Sequence, residues 1–74
     1  MYNFEAMGNK IRTARTSRHL SREDLAELCS ISDRSISNIE RGLSEPKLVT
    51  IVKICSVLEI NMNELKQFYQ EGQL

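Results

Sequence analysis

Seventy-four residues with no tryptophan and few other aromatic side chains leave room for one small domain, residues 1–74, built on aliphatic packing. Ten basic side chains balance ten acidic ones, which excludes a protein that grips polyanions through bulk positive charge. No apolar run approaches the ~18 residues of a membrane span, and residues 1–5 lack the basic flank and apolar core of a secretory leader, so a cytoplasmic protein with no membrane partner is expected.

Apolar residues recur at helical spacing throughout, and no segment alternates as a strand would. The first helix is predicted over residues 4–17, with Phe4, Met7, Ile11 and Ala14 on one stripe. His19 then falls between helices and is read as a loop residue, neither ligand nor base. Ser21 opens the second helix: its hydroxyl can cap the amide of Asp24, and the Asp24 carboxylate can cap back. Leu25, Ala26, Leu28 and Cys29 form the predicted inner face, and a turn, Ser30-Ile31-Ser32, follows. Ser32 caps the third helix, where Asp33 in the first turn suits the helix dipole. Ile36 and Ile39 point inwards, and Gly42 supplies the left-handed residue that closes the helix. A loop over residues 43–46 leads to a fourth helix over 47–58, with Leu48, Ile51, Ile54, Cys55 and Leu58 inside. Asn61 and Glu64 suggest a second capping box, opening a fifth helix to about residue 70 and leaving 71–74 to fray. The expected fold class is all-α, five helices, with a core over about residues 4–70.

Cys29 and Cys55 stand far apart, lack the paired spacing of a zinc site, and sit among apolar residues, so two buried free thiols are expected. No metal, cofactor or small-molecule ligand is indicated. Neither is an enzyme, because no nucleophile–base set and no glycine-rich phosphate loop is present. The charges are unevenly placed. Lys10, Arg12, Arg15, Arg18 and Arg22 run without an intervening acid, whereas Glu23, Asp24 and Glu27 follow at once and Glu59, Glu64 and Glu71 outnumber Lys53 and Lys66. Composition alone does not choose between a polarised binding surface and an ordinary solvated face.

Residues 21–42 form the informative unit. Two short helices joined by a tight turn can place the second in the DNA major groove, with its N-terminal residues at base edges. Ile36 and Ile39 anchor that helix, while Asp33, Arg34, Ser37 and Asn38 project from it. Arg34 can donate two hydrogen bonds to guanine, and Asn38 can pair with adenine. Taken by themselves these four residues leave a plainer reading open: Asp33 as a dipole partner, Ser37 and Asn38 as solvated surface.

The string Ile11-Arg12-x2-Arg15-x4-Leu20-Ser21-x3-Leu25-Ala26 followed by Ile31-Ser32-x3-Ile36-Ser37-x-Ile39-Glu40-Arg41-Gly42 resembles the Xre-type helix-turn-helix family, which includes lambda-like phage repressors and Cro. Pro46, Ile54, Leu58 and Leu65 match its last two helices, and the resemblance spans about residues 7–69. It implies a compact lambda-repressor-like domain and a sequence-specific regulator of transcription, a repressor, that binds double-stranded DNA. It further implies base reading by Asp33, Arg34, Ser37 and Asn38. Ser21 and Arg22 fall on positions that contact phosphate or flanking bases, and Arg41, Ser44 and Lys47 on positions that contact the DNA backbone. Arg15 and Glu40 match an internal ion pair joining the first and third helices. Three departures stand out: Ser30 and Glu59 occupy positions where relatives often have glycine, and Lys47 a position often held by a capping serine.

One such helix reads about half a turn of DNA, so pairing on a near-palindromic operator is expected, with recognition helices about 34–36 Å apart. Phe68 and Tyr69 on the fifth helix exceed what its core position Leu65 requires, and Val52 and Ile60 could extend their patch into a homodimer interface. The alternative is that Phe68 and Tyr69 cover the base of their own domain. A different functional class also stays open: the same fold serves in antitoxins and protein-interaction adaptors, for which zero net charge is the main support. Small relatives also include controllers of restriction–modification genes and elements of phages and plasmids.

Overall fold

Three residues in the left-handed region, His19, Ser30 and Glu59 (φ 59°, 59° and 57°), mark where the first, second and fourth helices turn over. A fourth, Gly42 (φ 73°), closes the third helix. The structure, a computed structural model, describes residues 4–66. Among these residues the elements are α1 (Phe4–Ser17), α2 (Arg22–Cys29), α3 (Asp33–Glu40), α4 (Leu48–Leu58) and α5 (Met62–Lys66), with no strand. The expected extension of the fifth helix to residue 70 and the fraying of 71–74 lie outside the described residues.

Helix starts follow the sequence signals closely. Ser21 Oγ accepts from the Asp24 amide at 2.9 Å, and Asp24 Oδ2 accepts from the Ser21 amide at 3.0 Å. The backbone and side-chain bonds to Ser21 hold the Asp24 carboxyl below its ordinary value. Ser32 Oγ accepts from the Ser35 amide at 3.0 Å. At α5 the box is altered: Glu64 Oε2 accepts from the Asn61 amide at 3.3 Å, but Asn61 Oδ1 takes the Asn63 amide at 2.8 Å. Lys47 precedes α4 without a side-chain cap.

Helices α2 and α3 pack on each other, α3 and α4 both lean on α1, and α4 also packs on α2. The shared core comprises Met7, Ile11, Leu25, Ala26, Cys29, Ile36, Ile39, Ile51, Ile54, Cys55, Leu58 and Leu65. Phe4, Ala14, Leu20, Ile31, Val57, Ile60 and Met62 pack around its rim. Two residues assigned inwards from the sequence are on the surface: Leu28 is 58% exposed and Leu48 69%. On α2 the inward face is centred on Leu25, Ala26 and Cys29, and Leu28 falls to its flank. Leu48 is the first residue of α4, at the open end of the helix, where its inward stripe of Ile51, Ile54, Cys55 and Leu58 has not begun.

Ser30 carries a β-carbon into a conformation that glycine adopts without cost. Ser30→Gly should therefore raise the unfolding free energy by about 1 kcal/mol, the relief of strain partly offset by a freer unfolded chain. In a domain of this size that moves the thermal midpoint up by roughly 4–8 °C. A midpoint unchanged or lowered in a thermal melt would contradict the strain assigned to this turn.

Candidate nucleic-acid interface

The α2–α3 turn is fixed at both ends. The Ser30 amide donates to Glu27 O at 3.1 Å and the Ile31 amide to Ala26 O at 3.0 Å, while half-buried Ile31 packs against the core. Ser32 then caps α3. The inner side of α3 is seated by Ile36 and Ile39, buried to 0% and 4% exposure, and by Glu40 at 5%. With so short a helix so firmly seated, the remaining side chains have little choice of direction.

Arg34 is exposed, and its guanidinium has no hydrogen bond or ion pair among the described residues. Asp33, Ser37 and Asn38 are half-buried on the same helix. Asp33 and Ser37 are not idle: Arg22 Nε stands 3.6 Å from Asp33 Oδ1, and Arg22 Nη1 donates to Ser37 Oγ at 3.3 Å. The first residue of α2 thus ties two of the four predicted base readers together. Ser21 Oγ accepts the α2 cap bond, which leaves the hydroxyl hydrogen as its free donor. Arg41, Ser44 and Lys47 follow α3 along one exposed segment, Arg41 as the helix's last half-turn.

Behind the surface, Arg15 Nε and Nη2 donate to Glu40 Oε2 and Oε1 at 2.6 and 3.1 Å, and Arg15 Nη1 donates to Leu20 O at 2.8 Å. The side chains are 11% and 4% exposed. This forked, charge-assisted contact fixes the C-terminal turn of α3 to α1 and to the entry of α2.

Of the four positions expected to pair subunits, Val52 and Ile60 are among the described residues and stand in different surroundings. Phe68 and Tyr69 lie outside the described residues. Val52 is half exposed and stands with Leu48 and Val49, exposed neighbours on one face of α4 that sequence patterning had not joined to it. Half-buried Ile60 instead lines a groove of about 480 Å³ with Thr13, Ser17 and Leu58, flanked by the pairs Lys10–Glu64 (3.0 Å) and Arg18–Glu59 (3.2 Å). The hydrogen bond from Lys10 is the main reason that the Glu64 carboxyl is held below its ordinary value. The 48, 49, 52 spacing on α4 was the signal available for the other face.

Cys29 and Cys55 are both free and buried, and burial pushes both thiols up. Among the described residues no three His, Cys, Asp or Glu side chains gather where they could hold a metal ion, and no helix is long and apolar enough to cross a membrane.

The sequence model of a helix-turn-helix family, HTH_3, matches residues 11–65. Among solved structures, the restriction-modification controller protein C.AhdI from Aeromonas hydrophila superposes with a TM-score of 0.79 at 34% identity, over 84% of this chain and 94% of that one. An HTH_3 family transcriptional regulator from Vibrio cholerae gives 0.70 at 37% identity, over 77% of this chain and 32% of the other. The clp gene regulator ClgR from Corynebacterium glutamicum gives 0.78 at 25% identity, over 85% and 67%. No curated protein matches the sequence significantly.

Proposed function

Because the chain belongs to the helix-turn-helix family of DNA-binding transcriptional regulators, we propose that it reads double-stranded DNA by laying α3 in the major groove, and that it acts as a repressor. The observation that carries this reading is the division of α3. Ile36, Ile39 and Glu40 hold it to the domain, while Arg34 stands exposed with its donors unspent and Asp33, Ser37 and Asn38 share its outer side. Arg34 can grip guanine bidentately, and Asn38 offers the donor and acceptor that match adenine. Ser21, Arg41, Ser44 and Lys47 are assigned to phosphates on either side of the helix. Occlusion of a promoter needs binding alone, which is why repression is the form of regulation proposed.

A single domain this size contacts too few bases for high specificity, so the proposal includes a homodimer on a near-palindromic operator. The exposed α4 face of Leu48, Val49 and Val52 supports apolar pairing and adds to the surface expected from residues Phe68 and Tyr69. Selection of bound duplexes from a random pool tests these claims together. A recovered site with two half-sites about 34–36 Å apart is expected. Arg34→Ala and Asn38→Ala should each relax preference at one defined position per half-site by about 1–3 kcal/mol, whereas Lys47→Ala should weaken all duplexes alike and lower the salt slope by about one. Unchanged base preference in Arg34→Ala would remove that residue from the reading surface.

Zero net charge favours a second reading, a protein-interaction adaptor in which DNA binding is secondary. A salt titration separates them, because phosphate-mediated binding weakens steeply as salt rises. Absence of tight binding to any duplex at low salt would select the adaptor.

A further inference from the structure

The contacts of Arg22 give it a role different from the phosphate contact suggested by family resemblance. Its guanidinium spans two residues of α3 one turn apart, facing Asp33 through Nε and donating to Ser37 through Nη1. Asp33 Oδ1, the oxygen nearest that guanidinium, is shielded from solvent and accepts no hydrogen bond. The side chains of Arg22 and Asp33 are each about half exposed, 48% and 44%, so the cluster lies at the edge of the proposed reading surface. We infer that Arg22 is a specificity-determining brace, which sets the hydrogen-bonding polarity that Asp33 and Ser37 present to DNA without itself having to touch a base.

The polarity follows from counting donors and acceptors. An ionised carboxylate only accepts. With Oδ1 turned towards Arg22, Oδ2 is the Asp33 atom left to meet a base, and it suits an amino hydrogen, that of cytosine N4 or adenine N6. A serine hydroxyl has one hydrogen and two lone pairs. Ser37 Oγ spends one lone pair on Arg22, which leaves one lone pair and its hydrogen and biases it towards donation to a base acceptor such as guanine N7 or O6, or thymine O4. Arg22 thus selects Oδ2 as the outward acceptor at position 33 and biases position 37 towards donation. It also offsets the Asp33 charge, which would otherwise oppose approach of the helix to phosphate. A lysine cannot do this: its ammonium is a single point, and Nε and Nη1 of the fork act on two partners together.

This inference rests on DNA reading by α3, and its test separates the two. Duplexes are selected from a random pool by the wild-type chain, R22A and R22K, and binding to the wild-type site is titrated with salt. The expected result is a broadened preference in both variants at the bases opposite positions 33 and 37, about tenfold in discrimination, with preference opposite Arg34 retained. The salt slope of R22K should match the wild type while its discrimination does not. Wild-type preference in R22K, or a loss in R22A that is equal for all sequences and lowers the slope by about one, would overturn the brace and return Arg22 to a phosphate contact. A wild-type chain that selects no site would overturn the DNA-reading function itself.

Discussion

Replacing Glu40 by Ala lowers the unfolding free energy by about 3–5 kcal/mol, the cost of leaving a buried charge without its partner. The residue abandoned is Arg15, whose side chain is 11% exposed and whose Nε and Nη2 both bond to the lost carboxylate. Only the bond from Nη1 to Leu20 O remains. A domain of this length has roughly 4–11 kcal/mol in all, so the variant should be partly unfolded at moderate temperature and its DNA affinity should fall with the folded fraction. Denaturant melts of purified protein measure the loss. The double variant Arg15→Met with Glu40→Leu then identifies the cause. If an uncompensated buried charge is responsible, removing both charges should restore most of the stability. If the forked contact is itself the source of stability, the double variant should be as poor as the single one. A loss below about 1 kcal/mol in Glu40→Ala would mean the pair behaves as a surface ion pair despite its burial.

Gly8→Ala is the second large effect, and in most helices the same substitution is mildly favourable. Alanine is preferred to glycine in a helix interior by about 1 kcal/mol. Here a β-carbon at position 8 would lie 2.5 Å from both the Ile39 and the Glu40 carbonyl oxygens. Both are backbone atoms in the last turn of α3 and cannot rotate away, so α1 and α3 must move apart. Overpacking of this kind costs about 1–3 kcal/mol or somewhat more, against the propensity gain, and the net result expected is a destabilisation of about 2 kcal/mol. The separation also stretches the Arg15–Glu40 bonds next to it. A thermal midpoint equal to or above the wild type would show that the helices accommodate the methyl group. The same measurement on Ser30→Gly is expected to move in the opposite direction, which makes the pair a test of backbone geometry rather than of glycine content.

These two sites show where sequence reading succeeded and where it stopped. Serine at positions 21 and 32 announced the starts of α2 and α3 because a cap is a local bond, made within three residues of itself. The left-handed geometry of Gly42 was legible for the same reason, since a helix must end where it stands, whereas that of Ser30 and Glu59 was signalled only by the resemblance, through the glycines that relatives often carry there. The Arg15–Glu40 pair spans 25 positions and became visible only through a family resemblance. Gly8 gave no such sign. A glycine inside a helical pattern carries a small propensity cost, and nothing local reveals that another helix's carbonyls occupy the place of its side chain. Leu28 and Leu48 were misplaced because periodicity counts apolar residues without knowing which flank another helix covers.

The candidate interface divides similarly. That Arg34 and Asn38 project from α3 followed from the positions of Ile36 and Ile39, a matter of helical spacing. Engagement of Asp33 and Ser37 by Arg22 could not be read, because it requires the angle between α2 and α3 that the turn sets. Val52 was singled out as a surface apolar residue, but its exposed neighbours Leu48 and Val49 were hidden for the opposite reason: they resemble core residues, and only the packed helices show that the core is already full without them.

The two thiols give the molecule a built-in clock. Cys29 is 1% exposed and Cys55 4%, and each is held in its unreactive protonated form by burial. Cys29 belongs to α2, which packs on α3, and Cys55 to α4, which packs on α2. A thiol reagent can therefore modify them only in molecules that have opened, so the rate of labelling records how often each of these two helices comes away from the core, including in preparations where the bulk of the protein is folded and bound.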